Sequence, residues 1–181
     1  MQGPALFSGA AVKLYNYGEN KVTLPEKEDS IQLISFNIGR KLFGIDIMTI
    51  REILRDPKIE VLGKAPAFIE GVVRVRGEVI PVVDLKRRLG GAEKTSQGDN
   101  QWLMITNVAS YLAGFVVDKV TRILKIEPDT IMAAPDLIFG GSQRPYIRGV
   151  CESEMGMLVV LDFARLLSAD EIHELKKIDV R

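Results

Sequence analysis

Two segments of the sequence match one another, and this internal repeat is the strongest constraint on the fold. Residues 68–89 read FIEGVVRVRGEVIPVVDLKRRL, and residues 146–167 read YIRGVCESEMGMLVVLDFARLL. A shift of 78 positions aligns their glycines, valines and terminal charged residues, namely Gly71 with Gly149, Val82 with Val160, Asp84 with Asp162 and Arg87 with Arg165. The chain is therefore expected to contain two equivalent halves.

The residue pattern inside each half is typical of short β-strands. Runs of Val, Ile and Phe are interrupted by turns, as at Gly77, where glycine allows the positive φ of a tight hairpin. An earlier run also repeats, because a shift of 70 positions takes Gly44 to Gly114. We therefore predict a mostly β protein with two small barrels, over residues 30–92 and 100–167, and leave open an exchange of strands between them.

Three segments outside the repeated hairpins have patterns of their own. Residues 1–29 show no sustained period and are expected to form a flexible N-terminal extension. The run DIMTIREIL places apolar residues three and four apart, which predicts a short amphipathic helix capped by Asp46. Ser168 and Glu171 have capping-box spacing, so residues 168–181 are predicted to form a C-terminal helix and tail.

The composition of the 181-residue chain excludes several classes of function. Lysine plus arginine equal aspartate plus glutamate at 24 each, so nucleic acid is not expected as a partner. No apolar run approaches the length that crosses a bilayer, and the N-terminus lacks the pattern of a signal peptide, which predicts a cytoplasmic protein without direct membrane insertion. Because Cys151 and His173 are the only cysteine and histidine, no metal or other cofactor is expected.

Two aspartates occupy equivalent places in the two halves. Asp84 and Asp162 each follow an apolar strand and precede a short helical turn, so capping of that turn explains both. The alternative is a hydrolytic enzyme or small-ligand binder that uses them as acid or base in a groove between the barrels. Against this alternative, the sequence has no phosphate-binding glycine motif and a single histidine.

Two charged residues are candidates for an interaction surface. Glu52 is out of register with the apolar positions of DIMTIREIL, and Arg76 stands beside Gly77 at a hairpin tip. Both side chains are therefore expected to face outward. From the residues alone, a solvated charge at each position is the simpler explanation.

Four segments follow one another in a fixed order: FGIDIMTIREIL, PAFIEGVVRVRGEVIPVVDLKRRLG, LAGFVVDKVTRIL and YIRGVCESEMGMLVVLDFARLL. Together they resemble the CheW family of chemotaxis coupling proteins over residues 30–175. The resemblance implies two SH3-like five-stranded β-barrel subdomains with short helices and a C-terminal helix. It also implies a scaffold without catalytic activity, which joins a CheA-type histidine kinase to methyl-accepting chemoreceptors in bacterial chemotaxis signalling arrays.

The resemblance further implies where the partners dock. The helical cytoplasmic tip of the receptor is expected in a groove between the barrels, and the regulatory domain of the kinase against the end of a barrel. Carried over by position, the receptor-binding charges are Glu52 and Arg76, and the apolar groove residues are Ile50, Val117 and Val120. No residue is assigned to kinase binding. The expected location is at receptor arrays on the inner face of the cell membrane.

Two departures from the family pattern bear on the pathway. Arg51 stands where the family usually has glutamine, and Arg74 adds a positive charge beside Arg76. A CheW-like adaptor of a non-flagellar chemosensory pathway is therefore the alternative to an adaptor of chemotaxis.

Overall fold

Twelve strands and two α-helices lie in the described part of the chain. The computed structural model describes residues 12–17, 20–25, 30–91, 100–135 and 144–178. The strands are β1 (Val12–Tyr17), β2 (Asn20–Pro25), β3 (Ile31–Ile38), β4 (Lys41–Asp46), β5 (Ile50–Arg55), β6 (Ile69–Val75), β7 (Glu78–Asp84), β8 (Trp102–Val108), β9 (Tyr111–Val117), β10 (Lys119–Ile126), β11 (Ile147–Ser153) and β12 (Gly156–Leu161). The helices are α1 (Leu85–Arg88) and α2 (Ala169–Lys177), and three-ten turns lie at Ile47–Thr49, Pro128–Thr130 and Phe163–Arg165.

The strands form two five-stranded sheets, and β1 and β2 form a separate pair. One sheet has the order β5-β8-β9-β7-β6, and its residues 50–117 are called the middle subdomain here. The other has the order β10-β3-β4-β12-β11, and its residues 31–46 and 119–161 are called the split subdomain. The architecture confirms the predicted mostly β fold with two SH3-like five-stranded subdomains and a C-terminal helix.

The two sequence halves exchange their first hairpins. β3 and β4 lie in the sheet of β10 and β12, whereas β8 and β9 lie in the sheet of β5 and β7. The subdomains therefore do not coincide with the contiguous ranges 30–92 and 100–167. Asp118 alone separates β9 from β10, and a hairpin needs a turn of about two residues. Because β10 cannot fold back onto β9, it enters the other sheet.

Several strands are buried on both faces, which produces three apolar cores. Successive strand residues point to opposite faces. In β12, Leu158 and Val160 point into the interior of the split subdomain, while Val159 and Leu161 point into a core shared by both sheets. Val116 of β9 likewise points into the interior of the middle subdomain. We call the shared cluster the joining core.

Four phenylalanines lie together in the joining core. Phe36 and Phe43 come from the split subdomain, Phe115 from the middle subdomain and Phe163 from the turn after β12. The ring centroids of Phe115 and Phe163 are 4.7 Å apart, and those of Phe36 and Phe163 are 6.2 Å apart. Because buried aromatic side chains remove a large apolar area from water, this cluster holds the two subdomains together.

The segment DIMTIREIL, predicted to be a short helix, is a three-ten turn followed by strand β5. Asp46 caps the turn as predicted, because its Oδ1 accepts the N–H of Met48 at 2.9 Å. A β-bulge between Ile50 and Glu52 explains why the helix prediction is wrong. The extra residue converts the two-residue period of a strand into a spacing of three, so that Ile50 and Ile53 both pack against the joining core.

The N-terminal range 1–29 contains a hairpin that the sequence did not predict. β1 and β2 pair in antiparallel register, from Val12 opposite Pro25 to Tyr17 opposite Asn20. Hydrogen bonds between the backbones of two strands do not require alternating apolar and polar side chains. The hairpin could therefore form in a segment whose hydrophobicity shows no period, and the sequence carried no signal of it. The other residues of the predicted extension lie outside the described residues.

The predicted C-terminal helix is present as α2 and has the expected capping box. The Ser168 hydroxyl accepts the N–H of Glu171 at 3.2 Å, and the Glu171 carboxylate accepts the N–H of Ser168 at 2.7 Å. Arg88 of α1 donates to the Leu166 carbonyl and to Glu171, both at 2.8 Å. These bonds fasten α2 to the middle subdomain. Residues 179–181 of the predicted tail lie outside the described residues.

Candidate protein-docking site

Arg76 lies at the tip of the hairpin that joins β6 to β7. Its φ is +49° and that of Gly77 is +84°, so both residues of the two-residue turn are left-handed. This combination is the type I′ turn, whose twist matches that of the flanking strands. The hairpin predicted from Gly77 is therefore confirmed, and its geometry holds the Arg76 side chain outward with 83% of its surface exposed.

Glu52 lies opposite this tip, on β5, and forms an ion pair with Arg76. The distance from Arg76 Nη2 to Glu52 Oε1 is 3.6 Å, and the Glu52 side chain is 26% exposed. Glu52 is thus half-buried rather than fully outward as predicted, because it follows the bulge in β5. An ion pair with one highly exposed partner contributes about 0–1 kcal/mol to folding. The structure therefore brings the two predicted charges together in a pair that folding hardly depends on.

Two more ion pairs lie close to Glu52 and Arg76, and three of their four residues belong to β5, β6 and β7. Arg51 approaches Glu78 at 3.7 Å across β5 and β7, and Arg74 of β6 approaches Glu60 at 3.7 Å. All four side chains are more than half exposed. The middle subdomain therefore presents charges of both signs around the hairpin tip, in an arrangement that can set the register of a charged partner.

The three apolar residues assigned to the groove differ in exposure. Ile50 and Val120 are half-buried and pack against the joining core. Val117 is 0% exposed, in register with Trp102 of β8, so its side chain is not available to a partner in this conformation. Val117 is part of the joining core and directly precedes Asp118, the single residue that links β9 to β10.

Met48 is an exposed apolar residue that the sequence analysis did not single out. It lies in the three-ten turn that connects β4 of the split subdomain to β5 of the middle subdomain, and it is 87% exposed. In the run DIMTIREIL, Met48 lies on the polar side of the predicted helix. The sequence pattern therefore did not distinguish it from an ordinary solvent-exposed residue. The turn places it two residues before Ile50, beside the candidate surface.

The two equivalent aspartates are helix caps, as predicted. Asp84 accepts the N–H of Arg87 at 3.2 Å, and Asp162 accepts the N–H of Ala164 at 3.0 Å. They line different cavities, with Phe68 beside Asp84 and Phe163 beside Asp162. The structure does not bring the two carboxylates together as an acid and base pair would require.

Replacement of Asp162 by asparagine is expected to leave the stability almost unchanged, whereas alanine lowers the free energy of unfolding by about 1 kcal/mol. Asparagine keeps an oxygen that accepts the Ala164 N–H, and it loses only an ion pair to the exposed Arg165 at 3.5 Å. Urea denaturation of both variants measures the difference. An equal loss of stability in both variants would contradict the capping role and would show that the negative charge of Asp162 is required.

The single cysteine and the single histidine lie apart from the candidate surface. Cys151 is 1% exposed in the interior of the split subdomain, and burial raises the pKa of its thiol. The thiol therefore stays protonated and is a poor nucleophile. His173 is exposed on α2. Within the described residues, no group of three or more Cys, His, Asp or Glu side chains could hold a metal ion.

A cavity of about 470 Å³ lies where the subdomains meet α1. Its described lining combines apolar residues such as Ile38 and Phe43 with the basic side chains of Arg40, Lys86 and Arg144. No carboxylate, thiol or imidazole is among the described lining residues, so this lining offers no general acid and base pair. The hydrolytic alternative therefore gains no support from the cavity.

The sequence that forms the repeated five-stranded subdomains and their charged hairpin tip matches known proteins. A family model described as the CheW-like domain matches residues 32–171. The chain belongs to the CheW family. It is 31% identical over 159 residues to the chemotaxis protein CheW of Treponema pallidum (strain Nichols), which covers 86% of this chain and 92% of that protein. Protein FrzA of Myxococcus xanthus is 31% identical over 145 residues, which covers 79% of this chain and 86% of FrzA.

Solved structures also contain this CheW fold. The crystal structure of the scaffolding protein TtCheW from Thermoanaerobacter tengcongensis matches with a TM-score of 0.67 and 25% identity, over 78% of this chain and 94% of that one. CheW proteins are non-catalytic adaptors, which confirms the prediction that this protein is not an enzyme. Among the residues that the structure describes, no helix is long and apolar enough to cross a membrane.

Proposed function

We propose that this CheW-family protein couples a CheA-type histidine kinase to methyl-accepting chemoreceptors in a bacterial chemotaxis array. Family membership and the match to a scaffolding protein support the adaptor role. The observation that carries the receptor contact is the Glu52–Arg76 pair, a charged pair at a rigid hairpin tip beside the half-buried Ile50. The protein acts in the cytoplasm, at receptor arrays on the inner face of the membrane.

The receptor tip is a helical hairpin, and a helix binds a groove through apolar anchors while flanking charges set its register. Ile50 and Val120 supply apolar contacts, and Val117 supports them from below. Because the Glu52–Arg76 pair contributes little to folding, a partner can recruit either charge without unfolding the subdomain. The regulatory domain of the kinase docks separately, against the end of a barrel, and no residue is assigned to that contact.

A second candidate function is the same adaptor role in a non-flagellar chemosensory pathway. The chain is 31% identical to FrzA over 145 residues, beside 31% over 159 residues for the chemotaxis protein of Treponema pallidum. Binding to the kinase and receptor of one pathway, in preference to those of another from the same genome, separates the two candidates.

Titration calorimetry of the full chain tests the proposal, with the regulatory domain of a CheA kinase from the same genome and with a receptor signalling fragment. Glu52→Lys and Arg76→Glu are each expected to weaken receptor binding about tenfold or more, which corresponds to about 1.4 kcal/mol. The double variant Glu52→Arg, Arg76→Glu rebuilds the internal ion pair with its charges reversed. It is expected to remain weak, because the receptor meets the wrong charge at both positions.

Lys64→Glu is the matched control, because Lys64 is an exposed cation in the loop that leads to Ile69, at the opposite end of β6 from the hairpin tip. It is expected to leave receptor binding unchanged, and all variants are expected to bind the kinase domain as the original chain does. Absence of binding to any kinase of that genome would contradict the adaptor role. If the chain binds the kinase and both single variants bind the receptor with unaltered affinity, the adaptor role stands but the proposed receptor surface is wrong.

A further inference from the structure

The cavity where the subdomains meet α1 is lined by two kinds of side chain. Its volume of about 470 Å³ lies in the range of about 300–1,000 Å³ that is typical of small-molecule sites. The apolar side chains of the described lining are Ile38, Phe43, Leu89 and Ile147, and the basic ones are Arg40, Lys41, Lys86 and Arg144. Four cations therefore surround an apolar cavity, with no carboxylate among the described lining residues.

The basic side chains come from both subdomains. Arg40, at the turn between β3 and β4, and Arg144, ahead of β11, belong to the split subdomain, whereas Lys86 lies on α1 of the middle subdomain. Arg40 is exposed, and the other two are half-buried. In the described part of the chain, none of these three forms an ion pair with an acidic side chain. Like charges around one cavity repel one another, and an anion bound among them removes this repulsion.

Arg144 is held in place by contacts with the end of α1. Its Nη1 donates to the Leu89 carbonyl at 2.5 Å, which is a bond between the two subdomains. Gly90 leaves room for the guanidinium, since a Cβ atom there would lie 3.3 Å from Nη2. The bond to Leu89 uses one of the five N–H donors of the group. A guanidinium that is already positioned can bind phosphate oxygens with little further loss of conformational entropy.

The equivalent place in the other half of the repeat has no such charges. The shifts of 70 and 78 positions give the counterparts of Arg40, Lys41, Lys86 and Arg144 as Ser110, Tyr111, Ala164 and Pro66. All four counterparts are uncharged. The backbone supports the correspondence, because the Pro66 carbonyl accepts the N–H of Ile69 at 2.9 Å, as the Arg144 carbonyl accepts that of Ile147 at 3.0 Å.

A helix of the chain itself lies against this uncharged counterpart. The Lys176 ammonium of α2 is 5.1 Å from the ring centre of Tyr111. In contrast, α2 contributes no residue to the described lining of the cavity. The repeat therefore accounts for the position of the cavity but not for its four cations, which belong to one half alone.

We propose that this cavity binds a small organic phosphate, an anion with a phosphate group on an apolar or aromatic body. The phosphate lies among Arg40, Lys86 and Arg144, and the body lies against Leu89 and Ile147. A phosphate monoester carries a charge of about −1.5 to −2 at pH 7 and three acceptor oxygens, so it matches several cations better than a carboxylate does. None of the residues proposed to contact the receptor is among the described lining of this site.

Titration calorimetry of the full chain with naphthyl phosphate tests the proposal. We expect saturable binding at one site, about tenfold or more tighter than inorganic phosphate, which lacks the apolar body, and than naphthol, which lacks the charge. Arg40→Gln and Lys86→Gln are each expected to weaken binding of naphthyl phosphate about tenfold, because each removes one cation from the lining. Lys64→Gln is the matched control, since it removes an exposed cation that does not line the cavity, and it is expected to bind as the original chain does.

Thermal unfolding supplies a second measurement. A ligand that binds the folded chain alone stabilises it, so naphthyl phosphate is expected to raise the midpoint of unfolding, and to raise it less in the double variant Arg40→Gln, Lys86→Gln. The same melts without ligand check that every variant is folded.

Three results would overturn the proposal. The first is a folded original chain that does not bind naphthyl phosphate. The second is binding that the double variant leaves unchanged, which would place the probe elsewhere on the chain. The third is equal affinity for inorganic phosphate, which would deny the apolar side chains any role. Neither kinase nor receptor takes part in these measurements, so each of these results leaves the proposed adaptor function untouched.

Discussion

Replacement of Phe115 by alanine is expected to lower the free energy of unfolding by about 3–5 kcal/mol. Phe115 is 0% exposed, and its ring lies 4.7 Å from that of Phe163 in the joining core. Alanine removes most of the side chain, and the surrounding β-strands cannot collapse into the space because their backbones are held by sheet pairing. Urea denaturation measures the loss, and the dependence of the unfolding free energy on urea concentration is compared between the variants.

The effect of Phe115→Ala should reach both subdomains, because Phe115 belongs to the middle one while Phe36 and Phe43 belong to the split one. Tyr111→Ala is the matched control on the same strand, since Tyr111 is 39% exposed and the centre of its ring lies 5.1 Å from the Lys176 ammonium. Its expected cost is about 1 kcal/mol or less. A small effect of Phe115→Ala, or loss of one subdomain with the other intact, would show that the joining core does not unite them.

Replacement of Gly71 by alanine is expected to cost about 3 kcal/mol, the second-largest effect. A Cβ atom at Gly71 would overlap the carbonyl oxygen of Glu60 and lie 2.8 Å from the Ile59 side chain. The overlapping oxygen is backbone, so it cannot rotate away. The segment at Glu60 is held there by two hydrogen bonds with Val72, of 2.8 and 2.9 Å, and these must lengthen to admit the methyl group.

The repeat supplies an internal check on Gly71. At Gly149, the equivalent position of the split subdomain, a Cβ atom would overlap the carbonyl oxygen of Met132, and Gly149→Ala is expected to cost as much. Gly63→Ala is the control, because an exposed Cβ there has nothing within 4 Å. Urea denaturation of the three variants ranks them. Comparable stabilities would mean that the loop backbones at Glu60 and Met132 move freely.

Locally encoded features of this protein were predictable from its sequence. The repeat, with shifts of 70 and 78 positions, implied two equivalent halves, and the structure has two sheets of five strands with equivalent bulges. Asp46, Asp84 and Ser168 were predicted as caps, because a short polar side chain ahead of a helical turn satisfies free N–H groups within its own segment. The family resemblance was confirmed by the CheW-like domain match.

Features that depend on distant parts of the chain were predicted less well. The bulge in β5 imitates helical spacing, and only pairing with β8 shows that the segment is a strand. Val117 was assigned to an open groove, yet β9 is covered on both faces and its side chain is buried. Glu52 and Arg76 were each predicted as receptor-binding residues from the sequence. The sequence did not predict that they form an ion pair, because this contact depends on the placement of β5 beside the hairpin tip.

The sequence by itself determined the repeated hairpins, the caps and the family, because each of these depends on residues close together in the chain or on an ordered series of motifs. Tertiary structure alone decided which hairpin enters which sheet, because the repeated halves offer nearly equivalent partners and the one-residue link at Asp118 forces the exchange. It also decided that Arg122 faces Glu154 as Glu52 faces Arg76. A contact between residues far apart in the chain exists only once the sheets are assembled.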